Sequence, residues 1–283
     1  MPALAAQPSS ALIARRIPST GETLPAMGLG SWITFNVGND ARERLARAEV
    51  MRQFFSEGGR LIDSSPMYGS SQGVIGEGLR RLKAHQQVFS ADKVWTSSSG
   101  ARQMAESRAL WGVARFDLLQ VHNLLAWEEN LPLLFEMKRA GQLRYVGITT
   151  SEGRRHGEFE RIMQKHPLDF VQVSYNILDR DVEERILPLA QARGIAVLVN
   201  RPFRQGALVQ ALSRRPLPGW AVELDCRSWA QVLLKFAISH PAVSCAIPAT
   251  SRVDHLRENM AAGRGQLPDE ALRRRMVAHV ESL

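Results

Sequence analysis

Four side chains that can exchange or steer protons stand at or just past the ends of three short apolar runs. Asp63 closes Leu61-Ile62, Lys93 lies near the end of Val88 to Val94, and His122 follows Phe116 to Val121. Tyr68 comes just after the first of these, beyond the turn Ser64-Ser65-Pro66. Taken singly, an Asp at a strand end is most often a turn former or a helix cap, and a loop tyrosine a half-buried packing group. Together they define a chemistry. A phenol, with an ordinary pKa of about 10, is a poor acid at neutral pH. A neighbouring ammonium lowers that pKa, and a carboxylate beside the ammonium keeps it charged and fixed. Such a tyrosine can protonate an oxygen, and a neutral imidazole donating to the same oxygen orients a carbonyl and stabilises charge developing on it. No nucleophile accompanies them, so the attacking species is expected to be a hydride brought by a cofactor.

For these groups to meet, the three runs must lie side by side with their ends on one face. The chain alternates in the way this requires: a short β-like run ending in a polar residue, then a stretch with helical spacing. Ala41 to Ser56 puts Leu45, Ala48, Met51, Phe54 and Phe55 at intervals of three and four, and Gly58-Gly59 stops it. The polar strand ends fall at Gly30, Asp63, Lys93, His122, Thr149, Ser174 and Asn200, at intervals of 33, 30, 29, 27, 25 and 26. A barrel of about 250 residues in eight βα units averages about 31 per unit, so this near-constant period predicts a (β/α)8 TIM barrel. The residues before Pro25, with turn signals at Pro18 to Gly21, predict a β-hairpin ahead of it. The interval from Asn200 to Pro248 is 48. The excess, Arg204 to Arg227, carries Arg214, Arg215, Pro216, Pro218 and Gly219 and is read as an insertion between the seventh strand and its helix, interrupting regular structure. The expectation is therefore a tail and hairpin over 1–24 and one barrel over 25–283, with extra helical segments after strand 7 and at the C-terminus.

Composition narrows the function. Hydrophobic content of 45% and charged content of 23% suit a soluble globular protein with a large core. The net charge of +8 comes from 36 Lys plus Arg against 28 Asp plus Glu, with no basic run interleaved with aromatics, so nucleic acid is not an expected partner. No apolar run approaches the roughly 18 residues that span a bilayer. Cytoplasmic residence is expected, with a periplasmic form the alternative because Ala3-Leu4-Ala5 resembles a cleavage-site remnant. Cys226 and Cys245 lie far apart with no metal-ligand spacing, and no metal site is expected. Gly69-Ser70-Ser71-Gln72-Gly73 matches the nucleophile-elbow pattern, but Pro66 and Tyr68 intervene where a strand must run straight into the serine. Gly28-Leu29-Gly30 lacks the third glycine of a dinucleotide fingerprint.

The motifs around the four groups, Leu-Ile-Asp-Ser-Ser-Pro-Met-Tyr-Gly, Asp-Lys-Val-Trp and Gln-Val-His-Asn, resemble the Asp, Tyr, Lys, His tetrad of the aldo-keto reductases. The resemblance runs from about Arg16 to Ala262. It includes Leu-Pro-Ala-Met-Gly-Leu-Gly-Ser-Trp, Leu-Arg-Tyr-Val-Gly-Ile-Thr, Phe-Val-Gln-Val-Ser-Tyr-Asn, and Ile-Pro-Ala-Thr-Ser with Glu258-Asn259. It implies reduction of an aldehyde or ketone with NADPH, or with NADH, by a monomer or weak homo-oligomer. Asp63, Tyr68, Lys93 and His122 are then catalytic. Thr149, Thr150 and Gln172 hold the nicotinamide carboxamide, and Asn200, Arg201, Pro202 and Phe203 lie against the ring and pyrophosphate. Ala249, Thr250, Ser251, Arg252 and His255 sit at the adenosine phosphate, Glu258 and Asn259 at adenine. Gly30, Ser31, Trp32 and Asp63 are implied to complete the cofactor cleft, and Trp32, Tyr68, Trp95 and His122 to meet the substrate, with Trp127 a further candidate for an apolar pocket. Three departures from the family pattern stand out. Asn200 and Arg201 stand where many members stack a tyrosine, Ala249 where some carry a lysine, and Asp92 where a hydroxyl residue is common. Alternation along a strand predicts that Asp92 points away from Lys93. A cofactor-sensing subunit with little turnover is the alternative reading, since members of the family also serve as binding partners.

Overall fold

The computed structural model describes residues 11–283; the Ala3-Leu4-Ala5 stretch lies outside the described residues. The first elements are an antiparallel pair, β1 (Ala14–Arg16) and β2 (Thr23–Pro25). Eight parallel strands follow: β3 (Leu29–Gly30), β4 (Leu61–Asp63), β5 (Phe89–Val94), β6 (Phe116–Val121), β7 (Leu143–Thr149), β8 (Phe170–Ser174), β9 (Ala196–Asn200) and β10 (Val243–Ala246). They lie in chain order, and the bridges Met27–Ala246 and Gly30–Ala249 join β3 to β10, so the sheet closes on itself as the predicted TIM barrel.

The barrel helices are α1 (Ala41–Ser56), α2 (Ser71–Leu82), α3 (Ala101–Trp111), α4 (Trp127–Arg139), α5 (His156–Lys165), α6 (Ile186–Arg193), then α7 (Ala207–Leu212) and α8 (Trp220–Glu223), and finally α9 (Trp229–Ser239), α10 (Val253–Ala262) and α11 (Glu270–Glu281). Local chemistry sets their ends. Asp40 accepts from the N–H groups of Arg42 and Glu43 at 2.9 and 3.0 Å and starts α1, and Ser228 caps α9 the same way through Gln231. Every residue of α9 from Trp229 to Ile238 is buried, as a helix covered on all sides requires.

Period-two alternation explains what fills the barrel. Leu61, Phe89, Ala91, Leu118, Tyr145, Phe170, Ala196, Leu198, Cys245 and Ile247 form one apolar cluster in the lumen, distinct from the larger cluster between sheet and helices. Ile17 and Leu24 of the hairpin belong to the same cluster, so the hairpin stoppers the amino-terminal end. The leucine, isoleucine and phenylalanine side chains among them each contribute about 1.5–3 kcal/mol on burial. Going toward the carboxyl ends, the same inward positions turn polar: Asp63 above Leu61, Lys93 above Ala91, Gln120 and His122 above Leu118, Gln172 and Ser174 above Phe170, Asn200 above Leu198.

One expected core position needed correction. Leu45 of α1 is 51% exposed, and Val50 takes the buried place beside Met51 and Phe54. Between β8 and β9 the helical stretch is divided into a 3-10 turn, Asp181–Glu183, and α6. Within Arg204 to Arg227 the expected extra helical segments after the seventh barrel strand are α7, a run of good helix formers, and α8; Leu208, Leu212, Trp220 and Leu224 are buried.

Candidate active site

At the carboxyl end of the barrel, Lys93 Nζ lies 2.5 Å from Asp63 Oδ2 and donates to the Ser64 carbonyl at 2.8 Å. Its ammonium stands 5.1 Å from the centre of the Tyr68 ring. The Tyr68 and His122 rings meet edge to face, with centroids 5.8 Å apart at 86°. The structure therefore brings the four sequence-predicted groups into one mouth. Asp63, Lys93 and His122 are buried, and Tyr68 is half-buried. The turn that carries Tyr68 is short and fixed: Pro66–Tyr68 is a 3-10 turn capped by Ser65, and Gly69 follows at φ +60. A Cβ on Gly69 would stand 2.3 Å from Asn36, whose side-chain oxygen holds the Ser70 N–H at 3.0 Å and so ties this turn to the loop after β3.

The charges settle each group's protonation. Burial pulls the Lys93 ammonium down, but Asp63, Tyr68 and Asp92 outweigh it and hold its pKa above the ordinary value. Burial and the Lys93 charge push His122 down to about 3, so its imidazole is neutral. The expected lowering of the Tyr68 pKa is not what results. Burial raises it and the Lys93 pull does not overcome this, so the phenol keeps its proton. Sequence supplies the neighbouring charge but not the degree of desolvation, which decides the sign here.

Asp92 points away from Lys93, as alternation requires. Its carboxylate lies among β5, α2 and α3, accepting from Gln72 Nε2 at 2.7 Å and from the Lys93 N–H at 2.8 Å. Burial raises its pKa to about 7.

Beside the tetrad runs a chain of amides and hydroxyls. Gln172 donates to Asp63 Oδ1 at 2.9 Å; Asn200 Nδ2 donates to Gln172 Oε1 at 3.3 Å and to the Thr150 carbonyl at 3.2 Å; Ser174 donates to Asn200 Oδ1 at 2.7 Å. Thr149 accepts the Asn123 N–H at 3.0 Å. Gln120, which the sequence analysis passed over, is fully buried and gives Asp63 Oδ1 a second, longer bond at 3.4 Å. Gly147 on the paired strand makes room for it, since a Cβ there would stand 2.7 Å from the Phe170 carbonyl and 3.1 Å from Gln120 Cγ. Its signal was available: a polar residue two before His122, on the same face.

The remaining expected residues spread outward from this chain. Ser31 is buried and donates to the Asp63 carbonyl at 2.8 Å. Trp32 lies under the Arg201 guanidinium at 5.6 Å, and Arg201 also pairs with Glu152. Pro202 is buried and Phe203 half-buried. A cavity of about 490 Å³ opens next to Arg201, between Glu152, His156, Ser174, Asp179 and Arg204. No tetrad residue lines it. Thr250 is buried and accepts the Arg252 N–H at 3.1 Å, Asn259 is buried, and Ser251 and Glu258 are half-buried. Ala249, Arg252 and His255 are exposed, with Arg252 paired to Asp254. Trp95 is 40% exposed at the mouth. Trp127 is not there: its indole donates to Glu158 and packs against His166, in the helix layer.

Conformational strain concentrates on this face. Among the described residues eleven non-glycine residues have positive φ. Nine of them, Ile33, Asn123, Leu124, Ala126, Glu152, Arg155, Arg201, Arg204 and Gln205, sit in loops leaving the carboxyl ends of β3, β6, β7 and β9.

A closed parallel barrel with a phenol, an ion pair and a neutral imidazole at the carboxyl ends of its strands is the arrangement of a barrel oxidoreductase. The chain belongs to the Aldo/keto reductase family, whose profile matches residues 26–276. It is 28% identical over 249 residues to the methylglyoxal reductase YeaE of Escherichia coli, covering 84% of this chain and 85% of that protein. It is also 28% identical over 244 residues to the NADH-specific methylglyoxal reductase of the same species, covering 73% of each. Among solved structures, an aldo/keto reductase from Klebsiella pneumoniae in complex with NADP and acetate superposes with a TM-score of 0.75 at 24% identity, covering 93% of this chain and 92% of that one. The holo form of an aldo-keto reductase from Bacillus halodurans gives 0.77 at 21%, covering 95% and 96%. Among the described residues no helix is long and apolar enough to cross a membrane.

The residues present fit a nicotinamide cofactor. Thr150, Gln172, Asn200 and Ser174 offer paired amide and hydroxyl groups that can exchange partners with a carboxamide. Gly30 lets β3 approach the chain leaving β10 closely, since a Cβ there would stand 2.6 Å from the Ile247 carbonyl. At the other end, the Arg252 guanidinium and the His255 imidazole are exposed and able to meet a phosphate.

Proposed function

We propose that this chain is an NADPH-dependent carbonyl reductase that converts an aldehyde or ketone to an alcohol, with Tyr68 as the proton donor. The bound cofactor supplies the hydride. The observation that carries the reading is Lys93, held by Asp63 on one side and set against the Tyr68 ring on the other. As negative charge gathers on the carbonyl oxygen, the Tyr68 O–H bond breaks and the proton passes to that oxygen. The phenolate left behind is stabilised by the Lys93 ammonium, which Asp63 keeps charged and in place. Neutral His122 donates an N–H to the same oxygen and so fixes the carbonyl's direction. Gln172, Asn200, Thr149 and Thr150 hold the carboxamide, Arg201, Pro202 and Phe203 flank ring and pyrophosphate, Ala249 to Arg252 and His255 meet the phosphate, and Glu258 and Asn259 the adenine. Ser31 fixes the end of β4, and Trp32 and Trp95 border the substrate. Two relatives named as methylglyoxal reductases, one NADH-specific, support small carbonyl substrates and leave NADH as the second cofactor.

The test is steady-state NADPH oxidation with a panel of simple carbonyls. Tyr68→Phe is expected to lower kcat by a factor of about 10²–10⁴ with NADPH affinity nearly unchanged, because it removes the acid and leaves the cofactor cleft intact. Unchanged turnover in that variant rejects the role. Tight NADPH binding by the wild type with negligible turnover on every carbonyl would favour a cofactor-sensing protein instead.

A further inference from the structure

In the turn between β4 and Tyr68, one buried hydroxyl has a single place to put its proton. Ser65 is fully buried, and its Oγ accepts the Met67 N–H at 3.2 Å and lies 2.9 Å from His122 Nδ1. No third bond to this hydroxyl exists among the described residues. A serine hydroxyl has one proton and two lone pairs, and a neutral imidazole has one N–H and one bare nitrogen. Two arrangements are possible. If Nδ1 carries the imidazole proton, both the ring and Met67 donate to Ser65, and the hydroxyl proton is left buried without an acceptor. That is the costly kind of unmade bond. If Nδ1 is bare, Ser65 donates to it, and the N–H of Met67, the hydroxyl and the ring nitrogen are all satisfied.

We propose that Ser65 is a positioning residue that fixes the tautomer of His122: its hydroxyl donates to Nδ1, and the imidazole proton is thereby placed on Nε2. The Nε2 atom has no protein partner among the described residues, so its N–H is free to meet a carbonyl oxygen in the mouth. Burial and the Lys93 charge keep the ring singly protonated, so the choice of nitrogen determines whether it donates or accepts there. Without Ser65 the ring loses both the preference and its anchor, although the residue itself never touches substrate. The hydroxyl comes from the turn that also carries Tyr68, so the proton donor and the orientation of its helper are set by one three-residue segment, Pro66–Tyr68, and its cap.

The tautomer follows from the hydrogen-bond geometry of a neutral ring; what the Nε2–H does rests on the carbonyl-reductase reading. Long-range ¹H–¹⁵N spectra of labelled protein, with the His122 signals assigned through His122→Asn, test it without any turnover. The expected spectrum has a bare Nδ1 and a protonated Nε2; a protonated Nδ1 overturns the proposal, and the wild type decides this even if variants fold poorly. In Ser65→Ala the Nδ1 signal is expected to move as its bond is lost, with kcat/KM falling about tenfold, the worth of one buried hydrogen bond, and NADPH affinity unchanged. Ser65→Thr keeps the hydroxyl and is expected to restore both. An unmoved Nδ1 signal, or a full rate, in Ser65→Ala overturns the proposal. Absence of any carbonyl turnover in the wild type, with the expected spectrum, would remove the reductase reading and leave the tautomer assignment standing.

Discussion

Asp92→Asn isolates a buried acid whose titration reaches physiological pH. In the folded protein the Asp92 carboxyl is raised from its ordinary 3.8 to about 7, first of all by burial. Between those values the folded chain holds a proton that the unfolded chain has released. Stability must therefore fall as pH rises through this window, by about 1.4 kcal/mol per pH unit, or roughly 4 kcal/mol in all, and level off above about 7. His122 works in the opposite sense. Lowered from 6.5 to about 3, it is neutral when folded and charged when unfolded, so its contribution is complete above 6.5 and is lost as pH falls toward 3. From about pH 4 to 6.5 the two slopes oppose each other, and the wild type is expected to show little net dependence from this pair. Asparagine removes only the falling limb. Its Oδ1 still accepts the Lys93 N–H, and a turned Gln72 amide can accept from its Nδ2, so the pocket stays satisfied. Urea unfolding of both proteins, followed by tryptophan fluorescence at several values from about pH 4.5 to 8.5, gives the difference directly. It is expected to grow in favour of Asp92→Asn up to about pH 7 and then stay constant. Parallel profiles over the whole range would mean that Asp92 is ionised throughout, and would refute the argument from burial.

Two further outcomes follow from features of the mouth. Ile33, a β-branched residue at φ +63 and 63% exposed, gains little from burial to offset its backbone conformation, so Ile33→Gly is expected to raise Tm by about 2–6 °C in a thermal melt. An unchanged or lower Tm would show that the loop is not strained there. Arg252 is exposed and paired with Asp254, so Arg252→Ala is expected to raise KM for NADPH about tenfold while leaving KM for NADH within about twofold; equal effects on both cofactors would remove Arg252 from the phosphate.

The barrel and its tetrad were legible because both are written in local pattern. Leu61-Ile62-Asp63 and the runs leading to Lys93 and His122 each place a polar residue where an apolar strand ends, and their near-constant spacing leaves few topologies. The outward turn of Asp92 follows from the same alternation. What could not be read depends on distance and solvent exclusion. Ser65 and His122 are far apart in the chain, and nothing local says that a turn serine will meet an imidazole. The Tyr68 pKa was misjudged because charge is visible in a sequence and desolvation is not. In the stretch after β9 the expected extra helical segments are present as α7 and α8, but arginine, proline and glycine hid their bounds, and Trp127, placed by its neighbourhood in sequence, faces the helices instead of the mouth. Gln120 is different in kind, since its spacing from His122 was there to be used.

The crowding of left-handed backbone into the loops after β3, β6, β7 and β9 bears on how this protein can be changed. Those segments hold shapes that a free chain would abandon, kept in place by the closed barrel beneath. Heat tolerance should therefore be easiest to gain at the rim, by glycine or asparagine at such positions, and the same substitutions would slacken the walls that grip the reacting molecules. Selection for robustness and selection for speed would then act on the same few residues in opposite directions, while the stoppered base stays neutral ground for both.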